Sequence, residues 1–161
     1  MTGKVLGIDP GTGVTGYGVV EAGDNGKLGR LIECGVIRTK QQDPLWVKLE
    51  QLHSGVVELI ATHEPDTLAI EDVFYGKNVR SAVTLSHTRG VILLAAAQAK
   101  LQVREFTPAT VKKTVVGAGG ATKTQVAFMV QKLLKLQSPP SPSDAADGVA
   151  IALTHLMTRF P

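Results

Sequence analysis

A chain of 161 residues with 43% hydrophobic and 19% charged residues and a net charge of +3 has the profile of a packed globular protein, which excludes wholesale disorder. One cysteine, Cys34, excludes an internal disulfide, and the opening run into Val5-Leu6-Gly7-Ile8-Asp9, with no basic segment or long apolar core ahead of it, does not support a signal peptide. The longest strictly apolar run, Val91 to Ala97, is far short of the roughly 18 residues a membrane span needs, so the expectation is one domain, soluble and cytoplasmic, with no membrane partner.

Lys4 to Asp9 is a short apolar run closed by Pro10-Gly11, and Thr15 to Glu21 alternates glycine with β-formers, so both are expected to be strands. After the turn residues Gly23-Asp24-Asn25-Gly26, Leu28 to Arg38 completes a three-stranded meander. From Pro44 to His63 the apolar positions Leu45, Leu49, Leu52, Val56, Leu59 and Ile60 recur at spacings of three and four, one face of a helix. Thr67 to Glu71 reads as a buried strand, Ser81 to Ala99 as a long helix and Gln102 to Phe106 as a further strand. Pro108 to Val115 is a short helix and Gly117 to Gly120 a mobile loop. Thr122 to Leu136 is a second amphipathic helix with Val126, Met129, Val130 and Leu133 inward, and a Pro/Ser connector from Ser138 to Ser143 precedes the last helix. A meander followed by alternating helix and strand implies an α/β mixed sheet with helices packed on its faces.

Charge is unevenly spread along this order. Residues 1–73 carry six Lys and Arg against eleven Asp and Glu, whereas residues 74–135 carry ten against one, Glu105. Such a cationic stretch calls for a polyanionic partner or for dispersal over a solvated surface.

Four carboxylates stand where solubility does not require them. Asp9 and Glu71 each end a hydrophobic strand, and parallel neighbours would bring those ends together. Asp144 and Asp147 are spaced i, i+3, so on a helix they share a face. Converging carboxylates repel and raise one another's pKa, so the constellation makes physical sense around a divalent cation. All-oxygen ligation favours Mg²⁺ or Mn²⁺ over zinc, whose usual Cys and His spacings are missing. Each acid also has a plainer reading: Asp9 as a turn residue before Pro-Gly, Asp144 as the third residue of a capping box opened by Ser141, and Asp147 and Asp72 as solvated surface charges. The segment Gly7 to Gly13, with Gly16 and Gly18, further resembles the phosphate loop of actin-like and sugar-kinase ATPases, which need two such lobes and run several times longer.

One resemblance spans nearly the whole chain. Leu6-Gly7-Ile8-Asp9-Pro10-Gly11 with Thr15-Gly16-Tyr17-Gly18, Ala69-Ile70-Glu71-Asp72-Val73-Phe74, Lys77-Asn78 with Ser81-Ala82, and Arg89-Gly90-Val91 form its first half. Val111-Lys112, Thr114-Val115-Val116-Gly117, Lys123 with Gln125-Val126, and Asp144-Ala145-Ala146-Asp147 follow in order. This series resembles the RuvC-type Holliday junction resolvases of bacteria. The resemblance implies an RNase H-like fold, a five-stranded mixed sheet with helices on both faces. It implies metal-binding catalytic acids at Asp9, Glu71, Asp144 and Asp147 and two Mg²⁺ ions per active site, with Mn²⁺ able to substitute. Lys112 and Lys123 fall where the family contacts phosphate near the cut, and Lys77, Arg80 and Lys113 are further candidate DNA contacts. Phe74, near the strand exchange point, is expected to stack on an unpaired base, with core packing as its alternative.

The same likeness implies a homodimer that nicks opposing strands of four-way junction DNA, with the Ser81 to Ala99 helix as dimer element, and a branch-migration motor as a partner in the pathway. A nuclease acting on hybrid duplexes, an ATP-binding protein and a non-catalytic junction-binding module are the competing expectations.

Overall fold

The computed structural model describes residues 3–72 and 78–158. Its elements are β1 (Lys4–Asp9), β2 (Val14–Ala22), β3 (Gly29–Arg38), α1 (Leu45–His63), β4 (Thr67–Glu71), α2 (Val79–Gln98), β5 (Gln102–Phe106), α3 (Pro108–Val115), α4 (Lys123–Leu133) and α5 (Ser143–Thr158). The five strands form one sheet in the order β3-β2-β1-β4-β5. β1, β2 and β3 pair antiparallel as the expected meander, while β1, β4 and β5 run parallel.

Side-chain parity along the central strands sorts the core into two layers. Leu6 and Ile8 of β1 and Leu68 and Ile70 of β4 face α1 and α2, meeting Leu52, Val56, Ile92 and Ala95. Val5 and Ala69 face the opposite side and pack with α3, α4 and α5. Asp9 and Glu71 share the parity of Val5 and Ala69, so both carboxylates emerge on the α5 side.

Helix α5 is apolar around its circumference and buried continuously from Ala145 to Leu156 except at Asp147, as expected of a helix enclosed on all sides. It lies unusually close to the sheet. A Cβ on Gly16 would stand 1.8 Å from the Asp144 carbonyl oxygen, and one on Gly148 would stand 2.5 Å from Tyr17 Cα. Only hydrogen at these positions allows strand and helix backbones to approach so closely.

Several element ends differ from the sequence expectation. The periodicity extends α4 to Leu136, yet the helix stops at Leu133. Lys135 adopts a left-handed φ of 55°, and Leu136 N–H donates to the Gln131 carbonyl at 2.9 Å, a Schellman closure. Leu134 and Leu136 still pack against the core beyond the last turn, so hydrophobicity outlasts the helix. At the other end α4 starts at Lys123, with Thr122 as its cap in a capping box with Gln125. Helix α2 begins two residues earlier than expected because Asn78 caps it, its side chain accepting from Ser81 N–H. Helix α5 begins at Ser143, so Asp144 is its second residue rather than the third position of a box opened by Ser141.

Candidate metal centre and nucleic-acid interface

Parallel pairing of Gly7 with Ala69 and Ile8 with Ile70 sets Asp9 and Glu71 side by side at the carboxyl ends of β1 and β4. The close seat of α5 on β1 and β2 then delivers its first turn to the same place. One carboxylate oxygen from each of Asp9, Asp144 and Asp147 lies within 4.8 Å of the others. Glu71 is outside that three-residue set but lines the same open cavity of about 310 Å³ with Asp9, Asp147, Lys112 and Lys123. Pro108, Val111, Val126 and Ala150 supply its apolar wall.

The electrostatics are those of a site built for positive charge. Burial, followed by the negative charges of Glu71 and Asp147, pushes the Asp9 carboxyl up to about 8. Glu71 is raised by burial and then by Asp147, against the opposing pull of Lys112 and Lys123. Burial also raises Asp147, with Lys123 opposing. The buried Asp147 Oδ2 atom has the Lys123 ammonium 3.2 Å away as its charged partner. That ammonium lies 3.9 Å from Asp144 Oδ1 and has its own pKa raised, chiefly by Asp147.

The donor set fits a hard divalent cation. It supplies several carboxylate oxygens, one of them buried, and no thiolate or imidazole within the cluster. Lys123 is the first residue of α4, where the helix dipole disfavours a cation. The facing acids of α5 offset that cost, and the conflict between local preference and tertiary placement marks a functional position.

The remaining sequence candidates are dispersed. Lys112 lies on α3 and lines the cavity. Lys113 is exposed and is not among the lining residues, and Arg80 is exposed in the first turn of α2. Phe74 and Lys77 lie outside the described residues. The Gly117 to Gly120 segment joins α3 to α4, the helices that carry Lys112 and Lys123.

Arg89 takes a role that residue-by-residue reading did not assign. From α2 its Nε donates to the Glu71 carbonyl oxygen at 3.1 Å and an Nη donates to Glu105 at 2.7 Å. It also lies 3.7 Å from Asp72. A guanidinium fork ties the ends of β4 and β5 together directly behind Glu71. The available signal was an arginine in the middle of α2, next to the apolar run from Val91 to Ala97.

Three of the glycines resembling a phosphate loop have a different use. Gly7, Gly16 and Gly18 receive the backbone and side chains of Gly148, Asp144, Val149 and Ala152 from α5, so the space a nucleotide phosphate would need beside them is occupied by protein.

Comparison with known proteins agrees with this architecture. Residues 5–155 match the family described as crossover junction endodeoxyribonuclease RuvC. The protein of that name from Pelotomaculum thermopropionicum is 46% identical over 151 residues, covering 94% of this chain and 91% of the relative. The Thermus thermophilus RuvC structure superposes with a TM-score of 0.89 at 36% identity, covering 97% of this chain and 95% of that one. The same protein in complex with Holliday junction substrate gives a TM-score of 0.90 at 35% identity, covering 97% and 94%. The five-stranded mixed sheet with helices on both faces is the RNase H-like fold these resolvases share. The family match along residues 5–155 and the 46% identity to a curated relative place this chain in the RuvC family of crossover junction endodeoxyribonucleases.

Proposed function

We propose that this chain is a structure-selective endonuclease that resolves Holliday junctions by paired, symmetric nicks, in recombination and DNA repair. The observation that carries the reading is the meeting of Asp9, Asp144 and Asp147 within 4.8 Å, beside Glu71 and beneath two lysines in one open cavity. In support, the relatives are named as crossover junction endodeoxyribonucleases, and one close structural relative is bound to a Holliday junction.

Asp9, Glu71, Asp144 and Asp147 would hold two Mg²⁺ ions, with Mn²⁺ as a substitute. When bound, the ions supply an activated water and stabilise charge on the entering and leaving oxygens of an in-line displacement. The protein groups do the positioning. Asp9 and Glu71 are fixed by strand register and Asp147 by the seat of α5. Lys123, held between Asp144 and Asp147, and Lys112 on the cavity wall offset negative charge on the scissile phosphate. Phe74, Lys77, Arg80 and Lys113 belong to the wider DNA surface in this reading, and the chain acts as a single nuclease domain within a homodimer. Two sites related by a twofold axis match the two strands to be cut. A branch-migration motor is its proposed partner.

Incubation with a labelled immobile four-way junction, with and without Mg²⁺, tests the assignment. Paired nicks at symmetric positions, dependent on the ion, are expected. Equal or better cutting of an RNA–DNA hybrid duplex would instead identify a hybrid-directed nuclease. The Asp147→Asn variant is expected to lose cleavage by at least about a thousandfold while still binding the junction, because phosphate contacts elsewhere dominate affinity.

A further inference from the structure

Lys123 borders two cavities. Besides the acidic one, it lines a second space of about 310 Å³ formed with Thr124, Ala127, Phe128 and Gln131 of α4 and with Pro139 and Ser143 ahead of α5. Phe128 is 52% exposed. Lys132 Nζ sits over its ring, 5.2 Å from the centroid, bracing one face by a cation–π contact. Thr124, Phe128 and Lys132 succeed one another at i, i+4 and form a stripe on α4. Lys135 is exposed just beyond the end of the helix.

We propose that this stripe is a second DNA subsite, in which the Phe128 ring stacks on a nucleobase flanking the cut while Lys132 and Lys135 contact the adjoining phosphates. The inference rests on the nuclease reading, since it extends the strand path out of the acidic cavity across Lys123. Charge selects the occupant. Residues 106–143 contain five lysines and no acidic residue, a polyanion-directed surface. Protein-docking patches, by contrast, are depleted in lysine. An exposed aromatic ring beside cations is the combination by which proteins hold splayed or single-stranded bases. The cavity beside the ring provides room, and Lys123, which borders both cavities, marks the path between them.

The test uses a four-way junction with single abasic substitutions walked along the nucleotides flanking the cut, with affinity measured in Ca²⁺ so that cleavage does not intervene. Phe128→Ala is expected to weaken binding to the intact junction about tenfold, whereas Phe128→Trp restores it and Phe128→Leu does not. At one abasic position the Phe128→Ala penalty should vanish, because the base it stacks on is already gone. Lys132→Gln should lower the slope of log affinity against log salt by about one. Unchanged thermal melting of each variant shows that the fold is intact. Wild-type affinity for Phe128→Ala, or a penalty equal at every abasic position, would overturn the subsite. If the wild-type protein binds the junction but never nicks it in Mg²⁺, the nuclease reading falls while the stacking test, read on affinity alone, still decides this one.

Discussion

Asp9 is the residue most at odds with its surroundings. Its carboxyl is pushed up to about 8 by burial and by its acidic neighbours, against about 3.9 for an exposed aspartate. Between those values the folded, metal-free protein holds a proton that the unfolded chain has released. Asp9 therefore contributes stability below about pH 4 that is lost as pH rises through about 8. In EDTA, Asp9→Asn is expected to melt above wild type by about 5 °C at pH 8, with the gap closing towards pH 5; calorimetric scans at the two pH values check this. Adding Mg²⁺ at pH 7 is expected to release protons as the acids ionise around the ion, which a weakly buffered titration with a pH indicator detects. No release would indicate that the cluster does not bind the metal through ionised Asp9.

Arg89 contributes through position rather than by touching substrate. With its guanidinium anchored to the Glu71 carbonyl and the Glu105 carboxylate, Arg89→Ala leaves the Glu71 carbonyl without this donor. A loss of about 1–3 kcal/mol, or roughly 3–10 °C in melting temperature, is expected. Arg89→Lys keeps the charge but not the fork. It is expected to retain junction affinity and lose cleavage rate about tenfold, a split between binding and turnover that simple unfolding would not produce.

At the scale of elements, the site depends on the distance between α5 and the sheet. Gly16 and Gly148 allow backbone to pass against backbone, and Asp144 and Asp147 on the first turns of α5 reach Asp9 as a result. Gly148→Ala places a methyl group against the Tyr17 backbone, and overpacking of this kind costs about 1–3 kcal/mol or more. The expected outcome is a lower melting temperature together with a loss of cleavage of about a hundredfold, because a shift of α5 separates the acids. Normal cleavage in this variant would show that the acids tolerate displacement of the helix. Helices α3 and α4, joined through the Gly117 to Gly120 connection, pack beside α5 on the same side of the sheet and bring the lysines to the cavity that the acids of β1, β4 and α5 line.

At the scale of the molecule, Val79, Val83 and Leu94 of α2 are exposed apolar side chains, on the helix proposed as the dimer element. Sedimentation is expected to report twice the 17.0 kDa of one chain. A Val83→Glu, Leu94→Glu double variant is expected to sediment as a monomer and to leave unpaired nicks. A variant that stays dimeric would move the interface elsewhere. No helix among the described residues is long and apolar enough to cross a membrane.

The sequence by itself determined which segments become strands and helices, because periodicity and turn residues act locally. It also identified Asp9, Glu71, Asp144 and Asp147 as misplaced for solubility, since each interrupts or closes an apolar pattern visible without coordinates. Only the tertiary structure decided that Asp9, Asp144 and Asp147 share one point while Glu71 stands slightly apart. It alone showed that the Gly7, Gly16 and Gly18 positions accommodate a helix instead of a phosphate, and that Arg89 braces Glu71 from behind. The physical reason is one of range: propensity and patterning extend over a few residues, whereas a carboxylate cluster, a glycine contact and a guanidinium fork join residues far apart in the chain, and their geometry exists only once the layers have packed.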